Sequence, residues 1–378
     1  MSAVPAFTPN AADPAALEDA TVGRAQLLDT LVARIRSAAR DGSRPHTLLL
    51  APQGSGKTHA LHVAVHRALA DPDTAGRVVP ALLPEGVLPV GSYLDLLTEI
   101  ARCVGPDVHD TARALRRARD PIGIEAAVGA AAAGRMLLLA VENLDRVFDR
   151  LGETGQGSLR AWVETSTDVL VVGTAPTLFP GVSSRTMPWY GSFIVDALPP
   201  LALDDCLTLF GAACVRRGRP DLTSFAASVR GRGRLAVVHR LIGGAPRSWL
   251  TLADAADLDA LDAVTPAVEV VLDRVAPQYQ HRLWELAAGE QRLVVELARS
   301  AGARTVGDLA DAVGVSNQSA ATALGRLADA HWVTSSKAPD GDRRTTWYDL
   351  ADPLLRLVVH FRDGDRDALH RAVAAASE

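Results

Sequence analysis

The residues best suited to chemistry lie in one short run, Ala51-Pro52-Gln53-Gly54-Ser55-Gly56-Lys57-Thr58. Its spacing is that of a glycine-rich phosphate-binding loop, G-x-x-x-x-G-K-[ST], with Ala51 in place of the first glycine. Successive backbone N–H groups in such a loop face phosphate oxygens, and the helix that follows points its positive end at them. Gly54 and Gly56 let the backbone come close. Lys57 is placed to reach terminal phosphates and Thr58 to hold Mg²⁺. Gln53, Ser55 and His59 complete the set expected around the phosphates. Lys57 and Lys337 are the only lysines among 39 basic residues. A chain this averse to lysine keeps one where a compact, hydrated point charge must meet phosphate, which a planar guanidinium does not copy.

Such a loop needs an acid at the end of a neighbouring strand to coordinate the metal. The run Met136 to Val141 is apolar without alternation, as expected of a strand buried on both faces, and it ends in Glu142-Asn143-Leu144-Asp145. Here the chain resembles the AAA+ and signal-transduction (STAND) ATPases, in which an apolar strand ends in Asp-Glu. The resemblance puts Glu142 at the Mg²⁺-associated acid and Asn143 at the water-activating glutamate. Both depart from the pattern. Glu142 has one more methylene of reach, and Asn143 can orient a water but cannot accept its proton. Asp145 is a substitute base, or it caps the next helix together with Asn143.

The same resemblance assigns three further places. Val22-Gly23-Arg24 matches the segment that lies against the adenine. Thr174, after the strand Val169 to Val172, matches sensor 1. Arg247, in Gly244-Ala245-Pro246-Arg247, matches sensor 2, an arginine at a lid-helix N-terminus that reaches the γ-phosphate. ATP and Mg²⁺ are the implied cofactors. The resemblance spans Val22 to Ala256 and is nearest to the replication-initiator (origin-recognition) ATPases, which join this core to a C-terminal winged helix.

The C-terminal part resembles MarR-type winged helices in Asp308-Leu309-Ala310, Gly314-Val315-Ser316-Asn317-Gln318, Leu324-Gly325-Arg326-Leu327 and Gly341-Asp342-Arg343-Arg344. In that fold the helix Asn317 to Asp329 enters the major groove and a hairpin wing touches the backbone. Asn317, Gln318, Ser319, Thr322 and Arg326 lie off its apolar face and are expected to meet base edges, with Lys337, Arg343 and Arg344 on phosphates. From His281 to Arg362 there are ten Lys or Arg and ten Asp or Glu, so the module is neutral where a phosphate-dominated binder usually shows a basic face.

These groups need a scaffold of alternating strands and helices. Strands are expected at Thr47–Leu50, Arg77–Leu83 (an edge, because of Pro80), Met136–Val141, Val169–Val172 and Ser192–Val195. Helices are expected from Val22 through Ile35, from the loop to about Ala70, and over Ser92–Val104 and Asp107–Ala133. From residue 203 to about 286 helices are expected, broken at Arg217–Pro220, Gly231–Gly233 and Gly243–Pro246. Thr305 to Asp308 reads as a capping box and Ser316 as a cap. Trp332–Ser335 and Thr345–Asp349 read as strands joined by a Pro339-Asp340-Gly341 turn. The expected fold class is an α/β P-loop NTPase core, a parallel AAA+-like sheet, with a helical lid and a C-terminal winged helix-turn-helix domain. The expected divisions are a disordered tail at 1–18, the core at 19–201, the lid at 202–280, the winged helix at 281–364 and a tail at 365–378.

Bulk composition narrows the function. At 378 residues two or three domains are expected. A net charge of −5 gives no general affinity for nucleic acid or anionic lipid. Cys103, Cys206 and Cys214 are far apart, which argues for a reducing compartment and against a zinc site. No basic residue precedes Arg24 and no apolar run approaches a membrane span, so a soluble cytoplasmic protein is expected, with no membrane partner. The expectation is an ATP-binding switch with slow or assembly-dependent ATP hydrolysis, whose winged helix contacts double-stranded DNA and which forms a homo-oligomer on ATP binding. The alternative is a STAND-type signalling or anti-phage defence ATPase whose winged helix docks a protein partner or holds an autoinhibited state.

Overall fold

The computed structural model describes residues 12–84, 90–166, 168–337 and 345–378. The chain divides into two compact units, Met1–Pro199 and Pro200–Glu378. No described helix is long and apolar enough to cross a membrane.

The first unit runs α1 (Pro14–Asp19), α2 (Ala25–Asp41), β1 (Thr47–Leu50), α3 (Lys57–Ala70), β2 (Val78–Leu83), α4 (Tyr93–Val104), α5 (Pro106–Arg117), α6 (Pro121–Ala132), β3 (Met136–Val141), α7 (Leu144–Thr165), β4 (Val169–Ala175), α8 (Pro180–Ser183) and β5 (Ile194–Ala197). The strands form one parallel sheet in the order β2-β3-β4-β1-β5. Successive residues of β3 point to opposite faces and feed two cores. Leu137, Leu139 and Val141 pack with residues of α4 to α7, whereas Met136, Leu138 and Ala140 pack with Ile35, Leu61 and Val65 of α2 and α3. That double burial is why β3 shows no polar alternation. β2 is an edge strand, where Pro80 removes no ladder bond that a second neighbour would need.

Several expectations are corrected. Residues 14–18 are not disordered: α1 buries Leu17 against a cluster containing Leu28 and Leu31, and Glu18 pairs with Arg67. One leucine and one carboxylate anchor an otherwise Ala/Pro-rich stretch. The single helix expected over Asp107–Ala133 is two. Arg119 takes a positive φ, and Asp120 then caps α6 by accepting from the Gly123 N–H, with Pro121 at the first turn.

The second unit runs α9 (Leu203–Arg216), α10 (Pro220–Ala227), α11 (Val229–Ile242), α12 (Pro246–Ala255), α13 (Leu258–Ala263), α14 (Thr265–Trp284), α15 (Ala288–Arg299), β6 (Arg304–Thr305), α16 (Val306–Val313), α17 (Asn317–Asp329), β7 (Val333–Lys337), β8 (Thr346–Leu350), α18 (Leu354–Asp363) and α19 (Arg366–Ser377). The break expected at Gly231–Gly233 does not exist. α11 runs through it, and Gly231 is there because a Cβ would sit 1.8 Å from the Phe225 carbonyl oxygen. The tail expected after residue 364 is likewise a helix, α19, with Leu369 buried and the Ala376 carbonyl accepting from Arg240. From α15 onward, the antiparallel sheet β6-β8-β7 and the helix pair α16–α17 have the order of a winged helix-turn-helix. Thr305 and Asp308 form the capping box of α16, and Ser316 caps α17. The expected turn at Pro339–Gly341 lies outside the described residues.

Candidate functional site

β1 ends at Leu50 and the chain turns through Ala51–Gly56 into α3. Gly54 (φ 85°) and Gly56 (φ 89°) occupy the left-handed region, which side chains at those positions would resist. Lys57 opens α3 and is buried, its Nζ donating to the carbonyls of Ala51 (2.6 Å) and Pro52 (3.1 Å). The ammonium is thus held within the loop by acceptors that can be exchanged for other oxygens. Gln53 is exposed and Ser55 is buried.

The acid comes from β3. Glu142 follows the strand's last residue, is 6% exposed, and its N–H donates to the Leu83 carbonyl. Thr58 Oγ1 donates to Glu142 Oε2 at 3.2 Å, so the loop hydroxyl and the strand acid meet across 84 residues of chain. His62, one turn beyond Thr58, contacts the other oxygen, Nε2 to Oε1 at 3.1 Å. A carboxylate can only accept, so Nε2 carries the hydrogen in this contact.

Asn143 adopts φ 47° and ψ 57°, the left-handed conformation that asparagine tolerates best among side-chain-bearing residues. This turn sends the chain from β3 into α7, and the Asn143 N–H donates to Thr174 Oγ1 at 3.1 Å. Thr174 is buried on β4, in register with Leu49 of β1. Next to it, a Cβ at Gly173 would lie 2.7 Å from Leu144 Cδ2, so glycine lets α7 close on the sheet. Burial raises the Asp145 pKa, and its Oδ1 is buried with no hydrogen-bond partner among the described residues.

The segment before α2 lies against the loop. The buried Arg24 guanidinium donates to the Ser55 carbonyl at 3.5 Å and to the Pro199 carbonyl. Gly23 turns with φ 63°, and Val22 is half-buried. Thr21 Oγ1 lies 2.9 Å from His59 Nε2, and burial pushes His59 down to about 4. Thr21 and His62 are contacts that sequence reasoning missed. For His62 the signal was present, since residues four apart share a helix face.

The remaining predicted residues belong to the second unit. Arg247, at the second position of α12, donates to Gln278 Oε1 of α14 at 2.8 Å. The next residue, Tyr279, donates its hydroxyl to Asp352, whose other oxygen accepts from the Leu354 N–H at the start of α18. Asn317, Gln318, Ser319, Thr322 and Arg326 are exposed on α17, opposite the buried Ala320, Ala323, Leu324 and Leu327. Arg326 pairs with Glu290 of α15 at 2.7 Å, and Lys337 Nζ donates to Thr346 Oγ1 at 2.6 Å. Arg343 and Arg344 lie outside the described residues.

The donor set in the first unit fits a nucleoside triphosphate with Mg²⁺. Two glycines leave the loop backbone uncovered and an ammonium is held inside it. A hydroxyl and a carboxylate oxygen stand 3.2 Å apart, close to the roughly 3 Å between adjacent oxygens around a hard octahedral cation. Among the described residues no group of three or more His, Cys, Asp or Glu could hold a metal. A magnesium site built on one carboxylate and phosphate oxygens needs no such group.

No family model matches the sequence, and no curated protein matches it. Solved structures do. Aeropyrum pernix ORC2 in its ADP form aligns with a TM-score of 0.53 at 15% identity, covering 93% of both chains. A. pernix ORC1 in complex with DNA aligns at 0.49 and 15% identity, over 96% of this chain and 94% of that one. Cdc6p from Pyrobaculum aerophilum aligns at 0.46 and 13%, over 97% and 99%. The ORC2 likeness shows the fold: an AAA+-like α/β P-loop core followed by helices and a C-terminal winged helix-turn-helix.

Proposed function

We propose that this chain is an ATP-binding switch that holds ATP with Mg²⁺ at the Gly54–Thr58 loop and turns its nucleotide state into a change in DNA contact by the winged helix. The meeting of Thr58 Oγ1 and Glu142 Oε2 beside the Lys57 ammonium carries this reading. The ADP form of the ORC2 structure supports a nucleotide in such a fold. In this reading Lys57 exchanges the Ala51 and Pro52 carbonyls for phosphate oxygens, and the loop N–H groups and the start of α3 supply the remaining positive field. Bound Mg²⁺ supplies neutralisation of phosphate charge. Thr58 and Glu142 hold it, and Val22–Arg24 flank the base. Thr174 fixes the Asn143 turn that faces the terminal phosphate, and Arg247 leaves Gln278 to reach the γ-phosphate.

Hydrolysis is slow on this view. Asn143 cannot take a proton from water, and among the described residues Asp145 has a buried carboxylate oxygen, Oδ1, with no hydrogen-bond partner. Turnover then depends on assembly, since an arginine supplied by a second copy is worth roughly 10³–10⁵ in rate in related chemistry. The protein works in the cytoplasm, forms a homo-oligomer when ATP binds, and presents Asn317, Gln318, Ser319, Thr322 and Arg326 to base edges, with Lys337, Arg343 and Arg344 on phosphates. A second reading, a STAND-type regulator whose winged helix docks a protein or holds a closed state, is favoured by the even charge of the module and by the Arg326–Glu290 pair.

Two measurements test these readings. Lys57→Ala should abolish ATP binding, and full retention of affinity overturns the nucleotide site. DNA affinity should fall with salt with a log–log slope of about −0.9 per phosphate contact, and reversing the charge of Arg343 and Arg344 should flatten it. Absence of DNA binding at low salt decides for the protein-contact reading.

A further inference from the structure

Glu142 raises a problem of geometry. Mg²⁺ demands near-ideal octahedral placement of its ligands, and a glutamate has one more rotatable bond than an aspartate with which to miss it. A buried glutamate that also has two equivalent oxygens can present either one. The structure removes both freedoms. Oε1 is taken by His62 Nε2 at 3.1 Å, and Oε2 is turned to Thr58 Oγ1 at 3.2 Å. His62 is itself largely buried, with 13% of its side chain exposed, so the contact is shielded from water. Its place is dictated by α3: His62 lies four residues after Thr58 and therefore above it on the same helix face. The other histidines of the helix do not share this role, because His59 meets Thr21 and His66 is exposed.

We propose that His62 is a positioning residue that locks the Glu142 carboxylate so that Oε2 alone is offered, beside Thr58 Oγ1, to the Mg²⁺ of a bound nucleotide. The proposal rests on the reading of Glu142 as the magnesium acid. Outer partners of this kind orient ligating carboxylates, and their loss typically costs about 10–100-fold in metal affinity. His62 is also what allows a glutamate to stand where an aspartate would otherwise be needed: the extra methylene carries the carboxylate to the imidazole and the hydroxyl together.

The experiment is a Mg²⁺ titration of fluorescent-ATP binding to the full chain, with affinity in EDTA as the reference. For His62→Ala, the affinity in EDTA should stay within about twofold of wild type, while the Mg²⁺ concentration giving half of the metal-dependent gain should rise about 10–100-fold. His62→Gln, which keeps a donor near the Nε2 position, should recover most of that loss. In a Glu142→Asp background, where the carboxylate falls short of the imidazole, His62→Ala should add little. An unchanged Mg²⁺ requirement in His62→Ala overturns the proposal. So does an equal loss with and without metal, which marks a packing role, or additive losses in the double variant. Wild-type ATP binding that is indifferent to Mg²⁺ removes the assignment of Glu142 and this proposal with it, whereas metal-dependent wild-type binding that His62→Ala leaves alone removes only the proposal.

Discussion

His46 couples acid to the stability of the first unit. It stands immediately before β1, is 7% exposed, and its Nδ1 accepts the Val171 N–H of β4 at 3.0 Å, with Trp189 and Phe193 around the ring. Protonation would place a charge in this apolar pocket and put a hydrogen where a lone pair is needed. Burial first, and Arg44 second, lower its pKa from 6.5 to about 4. The sign follows from proton counting. Between these values the unfolded chain binds a proton that the folded chain refuses, so stability is full above about 6.5 and is lost as pH falls towards 4. From pH 7 to pH 5 the loss is about 2 kcal/mol, and below pH 4 it reaches roughly 3 kcal/mol. In melting temperature, 2 kcal/mol is about 4–8 °C for a unit of this size. His59 titrates in the same direction, so the diagnostic measurement is a difference. His46→Asn, which keeps an acceptor near the Nδ1 position, should be less stable than wild type at pH 7.5 through lost packing, and the two stabilities should converge as pH falls. Urea unfolding followed by hydrogen exchange of peptides from β1 and β4, read by mass spectrometry, reports on the first unit. Parallel curves for wild type and His46→Asn from pH 7 to pH 5 would refute the account.

Three further outcomes are expected. Gly244→Ala should lower the urea midpoint of the second unit by an amount worth about 3 kcal/mol, because a Cβ there meets the Leu201 carbonyl oxygen at 2.0 Å and neither backbone can yield easily; a wild-type midpoint contradicts this. Asn143→Ala should cost roughly 1 kcal/mol through its left-handed backbone while Asn143→Gly should not, and equal effects in denaturant melts would show that the backbone conformation is not the cause. Asn143→Glu should raise the rate of phosphate release from ATP despite the same backbone cost, and an unchanged or lower rate means that the acid has been misplaced.

What could be read in advance follows the range of the interactions. Gly54, Gly56, Lys57 and Thr58 announce themselves because a phosphate loop is a local device, one turn leading into one helix. Thr305 with Asp308, and Ser316, were legible for the same reason. β3 was legible because burial on both faces leaves only apolar residues. The tie between Glu142 and His62 was not, since it joins residues 80 apart through the packing of α3 on the sheet. Gly231 misled, because a glycine in a Gly-Arg run signals a loop locally, while its reason is the Phe225 carbonyl of the preceding helix. α1 and α19 were missed because each is held by one buried leucine, too weak a pattern to register as amphipathic.

Gln278 and Tyr279 sit side by side on α14, directly after Pro277, whose missing N–H leaves that turn without one of its backbone ties. One of them grips Arg247, and the other grips the carboxylate that starts α18 behind the wing hairpin. A shift of a single weakened turn is therefore felt on both sides at once. The two grips are consecutive residues on one helix, beside the turn that lacks a backbone hydrogen bond, so a substitution that displaces this turn loosens the start of α12 and the start of α18 together.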